Sequence, residues 1–250
     1  MNRLALGLLL WASVSFFWLP YDPYEQGHSS QSGMWHLMGL DELGQDVFSR
    51  VWLGTANSFF YSFGASFVSL LLASILLVAE QASPRIVRLC IRSLVSIGIA
   101  LPVIFLGLLL MVFLPPSPLV VSMAIAISTI PFAFRQVRVL WLEQSSADHV
   151  LASRNSGAGK WHMFHFALWP NLAPQFFEIW KIVLGVSILE MSALTFLGLA
   201  GDPNWAELGS LLRYHQKFLL NQPWLVVWPG VFLCSILLIT RRVSYPDKLS

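Results

Sequence analysis

Residues 51–79 constrain the fold more than any other part of the chain, because these 29 residues include no charged side chain. A helix of about 20 apolar residues crosses the hydrocarbon core of a bilayer. We therefore expect a membrane span over residues 59–79, with an interfacial helix before it. The composition agrees, since only 11% of the residues are charged, whereas a soluble domain carries about 25%.

Comparable apolar runs predict an all-α membrane protein with six transmembrane helices. The expected spans are residues 4–20, 59–79, 94–114, 119–141, 172–199 and 223–240. The chain thus divides into a first helix (1–20), an outer segment with the interfacial helix (21–58), a membrane core (59–240) and a tail (241–250).

Arginines and prolines set the expected boundaries inside this core. A loop is expected before the third span, at Arg85, Arg88 and Arg92. Pro102 lies inside the third span, and Pro131 is expected to interrupt the fourth, because proline removes a helical hydrogen bond.

Basic residues orient the spans. Six spans place both termini on one side of the membrane, and the segments on that side hold 11 of the 15 Lys and Arg residues. These are Arg3, Arg85, Arg88, Arg92, Arg135, Arg138, Arg154, Lys160, Arg241, Arg242 and Lys248. Since basic residues concentrate in cytoplasmic segments, both termini are predicted to be cytoplasmic. The net charge of +2 gives no reason to expect a nucleic-acid partner.

The polar segment 145–170 interrupts the membrane spans and, by the same rule, is predicted to face the cytoplasm. Ser145 and Asp148 have the spacing of a capping box, which starts a helix. Gly157 can adopt the left-handed conformation that ends one. These signals predict a short helix between two spans.

Two further features of this segment suggest a docking element. Val150, Leu151 and Arg154 recur at helical spacing and are expected to share one face. A second short helix is expected over residues 160–168, ending at Pro170. The arrangement predicts a contact with a cytosolic protein, and the alternative is an amphipathic helix on the lipid surface.

Several motifs appear in a fixed order along the chain. They cover residues 40–50, 151–154, 157–158, 168–171, and Glu190 with 194–199. The three parts of the polar segment resemble the cytoplasmic "EAA" loop of permeases of binding-protein-dependent ABC importers. The other motifs resemble those of the dipeptide, oligopeptide and nickel permeases within that family. Leu151 departs from the pattern, because it replaces the glutamate that names the loop.

The resemblance implies a type I (MetI-like) ABC importer permease fold with a cytoplasmic coupling helix, in the inner membrane. It implies a second homologous permease, two cytoplasmic ABC ATPase subunits and a periplasmic solute-binding protein as partners. The implied sites are Val150, Leu151, Ala152, Arg154 and Gly157 for coupling to the ATPase, Glu190 for the translocation pathway, and Asp41, Gly44 and Asp46 on the binding-protein side. Asp41, Gly44 and Asp46 are alternatively expected to fix the start of the interfacial helix.

This chain is expected to be a transport subunit rather than an enzyme, with ATP and Mg²⁺ on the partner subunits. Residues 156–160 resemble the end of a phosphate-binding loop, but Arg154 and Trp161 stand where its first glycine and its Ser or Thr are needed. The histidines lack metal-ligand spacing, so no metal site is expected. Cys90 and Cys234 are expected to be buried, inert thiols.

The transported solute is expected to be nickel or a metal chelate, because residues 150–159 resemble nickel permeases more than dipeptide permeases. Small peptides are the alternative. Two other classes stay open, namely a passive channel and a membrane-embedded enzyme. For the enzyme, Glu178, Lys181 and Glu190 are the polar residues within the spans that could serve catalysis.

Overall fold

The computed structural model describes residues 19–27, 36–157, 159–202 and 204–242. Nearly all of the first expected span, residues 4–20, therefore lies outside the described residues. The described part is helical and has one isolated bridge, between Leu40 and Asp46, instead of strands. Its helices are α1 (Val47–Ala82), α2 (Arg85–Ala100), α3 (Val103–Phe113), α4 (Pro118–Ser145), α5 (Asp148–Asn155), α6 (Lys160–His162), α7 (Trp169–Phe196), α8 (Leu208–His215) and α9 (Trp224–Arg242). A π-helical turn (Met163–Leu168) joins α6 to α7, and a 3-10 turn (Gln216–Phe218) follows α8.

Helix α1 is continuous over 36 residues, so the separate interfacial helix expected before residue 59 is wrong. The helix begins early because Asp46 Oδ2 accepts a hydrogen bond from the Ser49 N–H at 2.8 Å, which satisfies an otherwise unpaired amide. Its first turns are covered by protein instead of lying on a membrane surface. A Cβ atom added to Gly54 would lie only 3.1 Å from Leu211 of α8.

The third expected span is broken. Arg85, Arg88 and Arg92 lie within α2 instead of a loop, and α2 and α3 meet at an angle of 91°. Leu101, between them, is extended. The reason is Pro102, which lacks an N–H donor and disfavours a helical conformation in the preceding residue.

Helix α4 runs through Pro131 without interruption, so the predicted break is wrong. The proline ring packs against α2 at Gly98, where an added Cβ atom would lie 2.6 Å from Pro131 Cγ. Helix α2 thus packs closely against Pro131, and such packing by a neighbouring helix is common where membrane helices tolerate proline.

Three helices, α1, α4 and α7, are long and apolar enough to cross a bilayer, and they pack against one another. The bent pair α2–α3 counts as a fourth if it is one broken span. The apolar part of α9, Trp224–Thr240, is shorter. The described residues therefore supply three or four of the six expected spans.

Candidate coupling loop and translocation site

The 145–170 loop connects α4 to α7. Ser145 ends α4, where its Oγ donates to the Leu142 carbonyl at 3.2 Å, so the predicted capping box is wrong. Helix α5 begins at Asp148, and Gly157 follows its end with φ at +77°. This left-handed glycine confirms the predicted helix stop, because a residue with a Cβ atom is disfavoured there.

Val150 points into the helix bundle. It is 4% exposed and belongs to an apolar cluster with Leu140 of α4 and Leu168 of the π-helical turn. Val150 therefore anchors α5 to the bundle instead of facing outward, as was expected of it. Leu151 and Arg154 belong to the same helix, and Ala152 is exposed.

The second half of the loop is helical up to the next span. The chain passes from α6 through the π-helical turn into α7 without a break, so the expected stop at Pro170 is wrong. A π-helical turn shifts the hydrogen-bond register of the backbone. Pro170 follows it near the start of α7, within helical backbone that continues to Phe196.

This half presents exposed aromatic side chains that the sequence reasoning did not single out. Trp161 is 79% exposed and Phe166 is 67% exposed. The Trp161 ring is nearly parallel to the His165 ring at a centroid distance of 6.4 Å. Clustered apolar surface beside polar residues is typical of interaction sites. The aromatic residues within this polar loop could have indicated such a site from the sequence.

Glu190 lies on α7, partly buried against α4. Its Oε2 accepts a hydrogen bond from Ser128 Oγ at 3.3 Å. The carboxylate is thus held at the contact between two spans, and its place on a translocation route stays a prediction.

Glu178 and Lys181 form an ion pair on α7, at 2.6 Å between Lys181 Nζ and Glu178 Oε1. The ammonium group also lies 5.1 Å from the centre of the Phe177 ring. Because Lys181 is buried and paired on its own helix, the two charges stabilise each other.

Asp46 and Gly44 fix the start of α1, as one of the two alternatives predicted. Besides capping the helix, Asp46 places Oδ1 at 2.9 Å from His36 Nδ1. Gly44 has φ at +71°, and the turn that it makes lets Asp41 Oδ1 accept from the amides of Leu43 (2.9 Å) and Gln45 (2.8 Å). Asp41 and Asp46 are both buried, so other residues form the outer surface of this segment.

Asp41 also faces two buried bases. Its Oδ2 lies 3.5 Å from Arg50 Nη1 and 4.0 Å from His215 Nε2. Burial opposes ionisation of Asp41, but the His215 ring, the Gln45 amide and Arg50 together hold its pKa below the ordinary value. Arg50 donates further to the Asn204 side chain at 3.1 Å and backbone at 3.2 Å. The start of α1 is thereby tied to the segment before α8.

Glu207 was missed by the sequence reasoning, although it is fully buried between α1, α7 and α8. Its carboxylate accepts from Ser58 Oγ at 2.7 Å, from Ser192 Oγ at 3.2 Å, from Thr195 Oγ1 and from the Ser210 amide at 3.0 Å. Burial raises the pKa of Glu207 despite these donors. The capping box that Glu207 forms with Ser210 at the start of α8 was a local signal, but the contact with Ser58 joins positions 149 residues apart.

A cavity of about 250 Å³ opens beside α8, and the residues that line it include Asp202, Arg213 and Lys217. At its rim Lys217 Nζ lies 2.7 Å from Glu42 Oε1, and this contact lowers the pKa of Glu42. Burial and the neighbouring Glu42 raise the pKa of Tyr214 to about 12.

Within the residues that the structure describes, no group of three or more His, Cys, Asp and Glu side chains could hold a metal ion. Cys90 and Cys234 are both exposed free thiols, so their expected burial is wrong. They lie on α2 and α9, whose outer faces are apolar and are therefore suited to lipid or to another subunit.

A family model described as "Binding-protein-dependent transport system inner membrane component" matches residues 70–245, more than half of the chain. The chain belongs to this family. It is thus a permease subunit of an ABC importer and a component of the inner membrane, as the motifs predicted.

Curated relatives of the permease are similar over most of its length. A dipeptide transport system permease protein of Haemophilus influenzae is 30% identical over 231 residues, covering 88% of this chain and 77% of the relative. The dipeptide transport system permease protein of Escherichia coli (strain K12) is 32% identical over 248 residues, covering 90% and 78%. The expected preference for nickel is not supported by these relatives.

Solved structures share the fold of the permease. A chain of the MetNI methionine ABC transporter in an inward-facing conformation matches with a TM-score of 0.67 and 16% identity, over 82% of this permease and 96% of that chain. A chain of an amino acid ABC transporter with histidines matches with a TM-score of 0.65 and 14% identity, over 79% and 92%. At this identity the likeness shows the fold alone, which agrees with the predicted importer permease fold.

Proposed function

We propose that the permease forms half of the translocation pathway of an importer for small peptides, paired with a second, homologous permease. The observation that carries this is the identity of 30% and 32% with two dipeptide permeases over about nine-tenths of the chain. Residues 150–159, which favoured nickel, belong to a loop outside the spans. They are expected to contact no solute and so give no direct information about it.

The partner subunits are those that the family implies, and charge indicates on which side of the membrane each one binds. The excess of Lys and Arg on the side of the 145–170 loop makes that side cytoplasmic, with both termini there. Two ATPase subunits, which hold the ATP and Mg²⁺, dock on this side, one of them at the 145–170 loop. A periplasmic binding protein delivers the solute to the opposite side, where Asp41, Gly44 and Asp46 shape the start of α1.

The docking face consists of the exposed part of the 145–170 loop. Ala152, Gly157 and Trp161 are exposed, and Leu151 and Arg154 are the further residues that the family pattern places there. Val150 supports this face from below, because it packs into the bundle. Nucleotide binding can move the permease only if the ATPase contacts this face differently in its two states.

Peptide uptake tests the solute. The permease, its sister permease and its ATPases would be reconstituted in vesicles with the cognate binding protein and supplied with radiolabelled dipeptide or with ⁶³Ni²⁺. We expect ATP-dependent uptake of dipeptide and none of nickel. Uptake of nickel alone would contradict the peptide assignment, and dipeptide uptake at full rate without ATP would identify a passive channel.

Two loop variants test the docking face. Arg154→Glu reverses a charge on α5, and Gly157→Pro removes the left-handed glycine that orients it. Both are expected to reduce ATPase co-purification and peptide uptake while leaving the permease in the membrane. Lys217→Glu is the matched control, since it reverses a charge beside α8 and should retain the ATPase. Normal uptake in both loop variants would overturn the assignment.

A further inference from the structure

The carboxylate of Glu80 joins three helices. Glu80 lies in the last turn of α1 and is fully buried. Its Oε1 accepts from Arg92 Nε of α2 at 2.6 Å and from Arg138 Nε of α4 at 3.2 Å. These three residues are called the Glu80 triad below. Arg138 is 58 positions from Glu80 in the sequence, so the triad is a tertiary contact between helices.

The Glu80 triad lies next to the anchor of the 145–170 loop. Arg138 precedes Ser145 by seven residues, or about 10 Å along the helix axis. One apolar cluster contains Leu77 of α1, Leu140 of α4 and Val150 of α5. A displacement of α5 can therefore reach α4 and α1 through this apolar cluster, and the triad is a charged contact between α1, α2 and α4 at the same end.

The geometry of the triad permits a second arrangement. Both guanidinium groups contact Oε1, whereas Oε2 has no hydrogen-bond partner within the described ranges. The Arg92 and Arg138 side chains are 41% and 26% exposed. Since each guanidinium carries five N–H donors, one of them can move to Oε2 or to water while the other keeps the carboxylate paired.

We propose that the Glu80 triad is a positioning element that transmits displacement of the 145–170 loop from α4 into α1 and α2. This inference rests on the proposed docking of an ATPase at the loop. The triad contacts neither solute nor nucleotide in this role. It keeps the ends of the three helices in register, so that a displacement of α4 moves α1 and α2 as well. Contacts that change between two discrete arrangements are the physical basis of such coupling.

The test is the number of peptides imported per ATP hydrolysed, measured on the complete transporter in vesicles with loaded binding protein. Arg138→Gln removes the α4 contact of the triad. It is expected to leave ATP hydrolysis within about twofold of wild type and to lower peptide import per ATP about fivefold or more, as for a typical coupling between sites. Arg138→Lys, which keeps the charge, should recover part of that ratio.

Arg88→Gln is the matched control. Arg88 lies on the same helix as Arg92, but its guanidinium donates only to backbone carbonyls of Glu80 (3.4 Å) and Ser83 (3.3 Å) among the contacts of the described residues. Its import per ATP should equal that of wild type. An equal loss in Arg88→Gln and Arg138→Gln would overturn the proposal.

Other outcomes separate this proposal from the proposed function. If Arg138→Gln lowers hydrolysis and import together, at an unchanged ratio, the triad serves folding only and the proposal fails. If Arg138→Gln does not assemble, Glu80→Gln, which keeps the shape and an acceptor, is measured by the same ratio. Loss of assembly in both variants also overturns the proposal. If the wild-type complex shows no ATP-dependent import, the proposed function itself has failed.

Discussion

Glu80 and Glu207 are both fully buried carboxylates, but the two ends of the molecule stabilise them differently. Glu80 receives two guanidinium groups on long side chains that reach solvent. Glu207 receives three hydroxyl groups and one amide, and no cation pairs with it in the part of the chain that the structure describes. The difference suggests that the contacts of Glu80 can exchange over a longer range, whereas those of Glu207 come from short side chains and one backbone amide.

The largest effect is expected for Glu207→Ala. The change creates a cavity between α1, α7 and α8 and leaves the Ser210 amide without its acceptor. Some of the hydroxyls keep an acceptor without Glu207, since Ser58 Oγ also donates to the Gly54 carbonyl at 2.9 Å. The loss in free energy of unfolding should therefore be limited to about 3 kcal/mol. Denaturation in detergent would measure it. A loss below 1 kcal/mol would mean that the cluster contributes little to the fold.

Glu80→Ala also leaves a cavity but should destabilise less, by about 2 kcal/mol, because its partly exposed arginines can turn to water. The same denaturation experiment compares the two alanine variants directly. Glu207→Ala is expected to be the less stable of the two variants. The reverse order would contradict the proposed difference between the two carboxylates.

The pH dependence of stability should sharpen the contrast. Burial raises the pKa of Glu207 above its ordinary value of 4.5, so its favourable contribution is complete below pH 4.5 and is lost as the pH rises through the folded-state pKa. Wild type should therefore lose stability relative to Glu207→Gln as the pH rises above 4.5, which thermal melts at a series of pH values would measure. Asp41 provides a control of opposite sign. Its pKa is lowered, so the advantage of wild type over Asp41→Asn should shrink as the pH falls below 3.8.

The smallest effect is expected for Lys217→Ala. It removes the exposed ion pair with Glu42, and such pairs contribute about 0.5 kcal/mol or less, which salt screens further. Melts at low and high salt should barely differ between variant and wild type. A loss comparable to that of Glu80→Ala would show that exposure does not decide the strength of ion pairs in this protein.

Local signals were predictable from the sequence. The cap at Asp46, the helix stop at Gly157 and the Glu178–Lys181 pair each depend on residues within a turn of one another. The family and its fold were predictable because the motifs keep their order along the chain. The orientation, the six-span count and the docking face stay predictions.

The predictions from the sequence were wrong where a distant helix decides the local structure. Pro131 continues α4 because Gly98 of α2 leaves room for its ring. Val150 turns inward because Leu140 and Leu168 offer an apolar site. The Glu80 triad and the Glu207 cluster join positions up to 149 residues apart, which no spacing rule can identify.

The π-helical turn, Met163–Leu168, makes the two attachments of the loop mechanically unequal. On one side α4 stops at Ser145, and two residues form a short hinge before α5. On the other side helical backbone runs unbroken from Lys160 to Phe196. A rotation of the second half of the loop would therefore be passed to α7 through continuous helical backbone, which carries Pro170 and Pro174 near its start, whereas α5 is joined to α4 by a link of two residues.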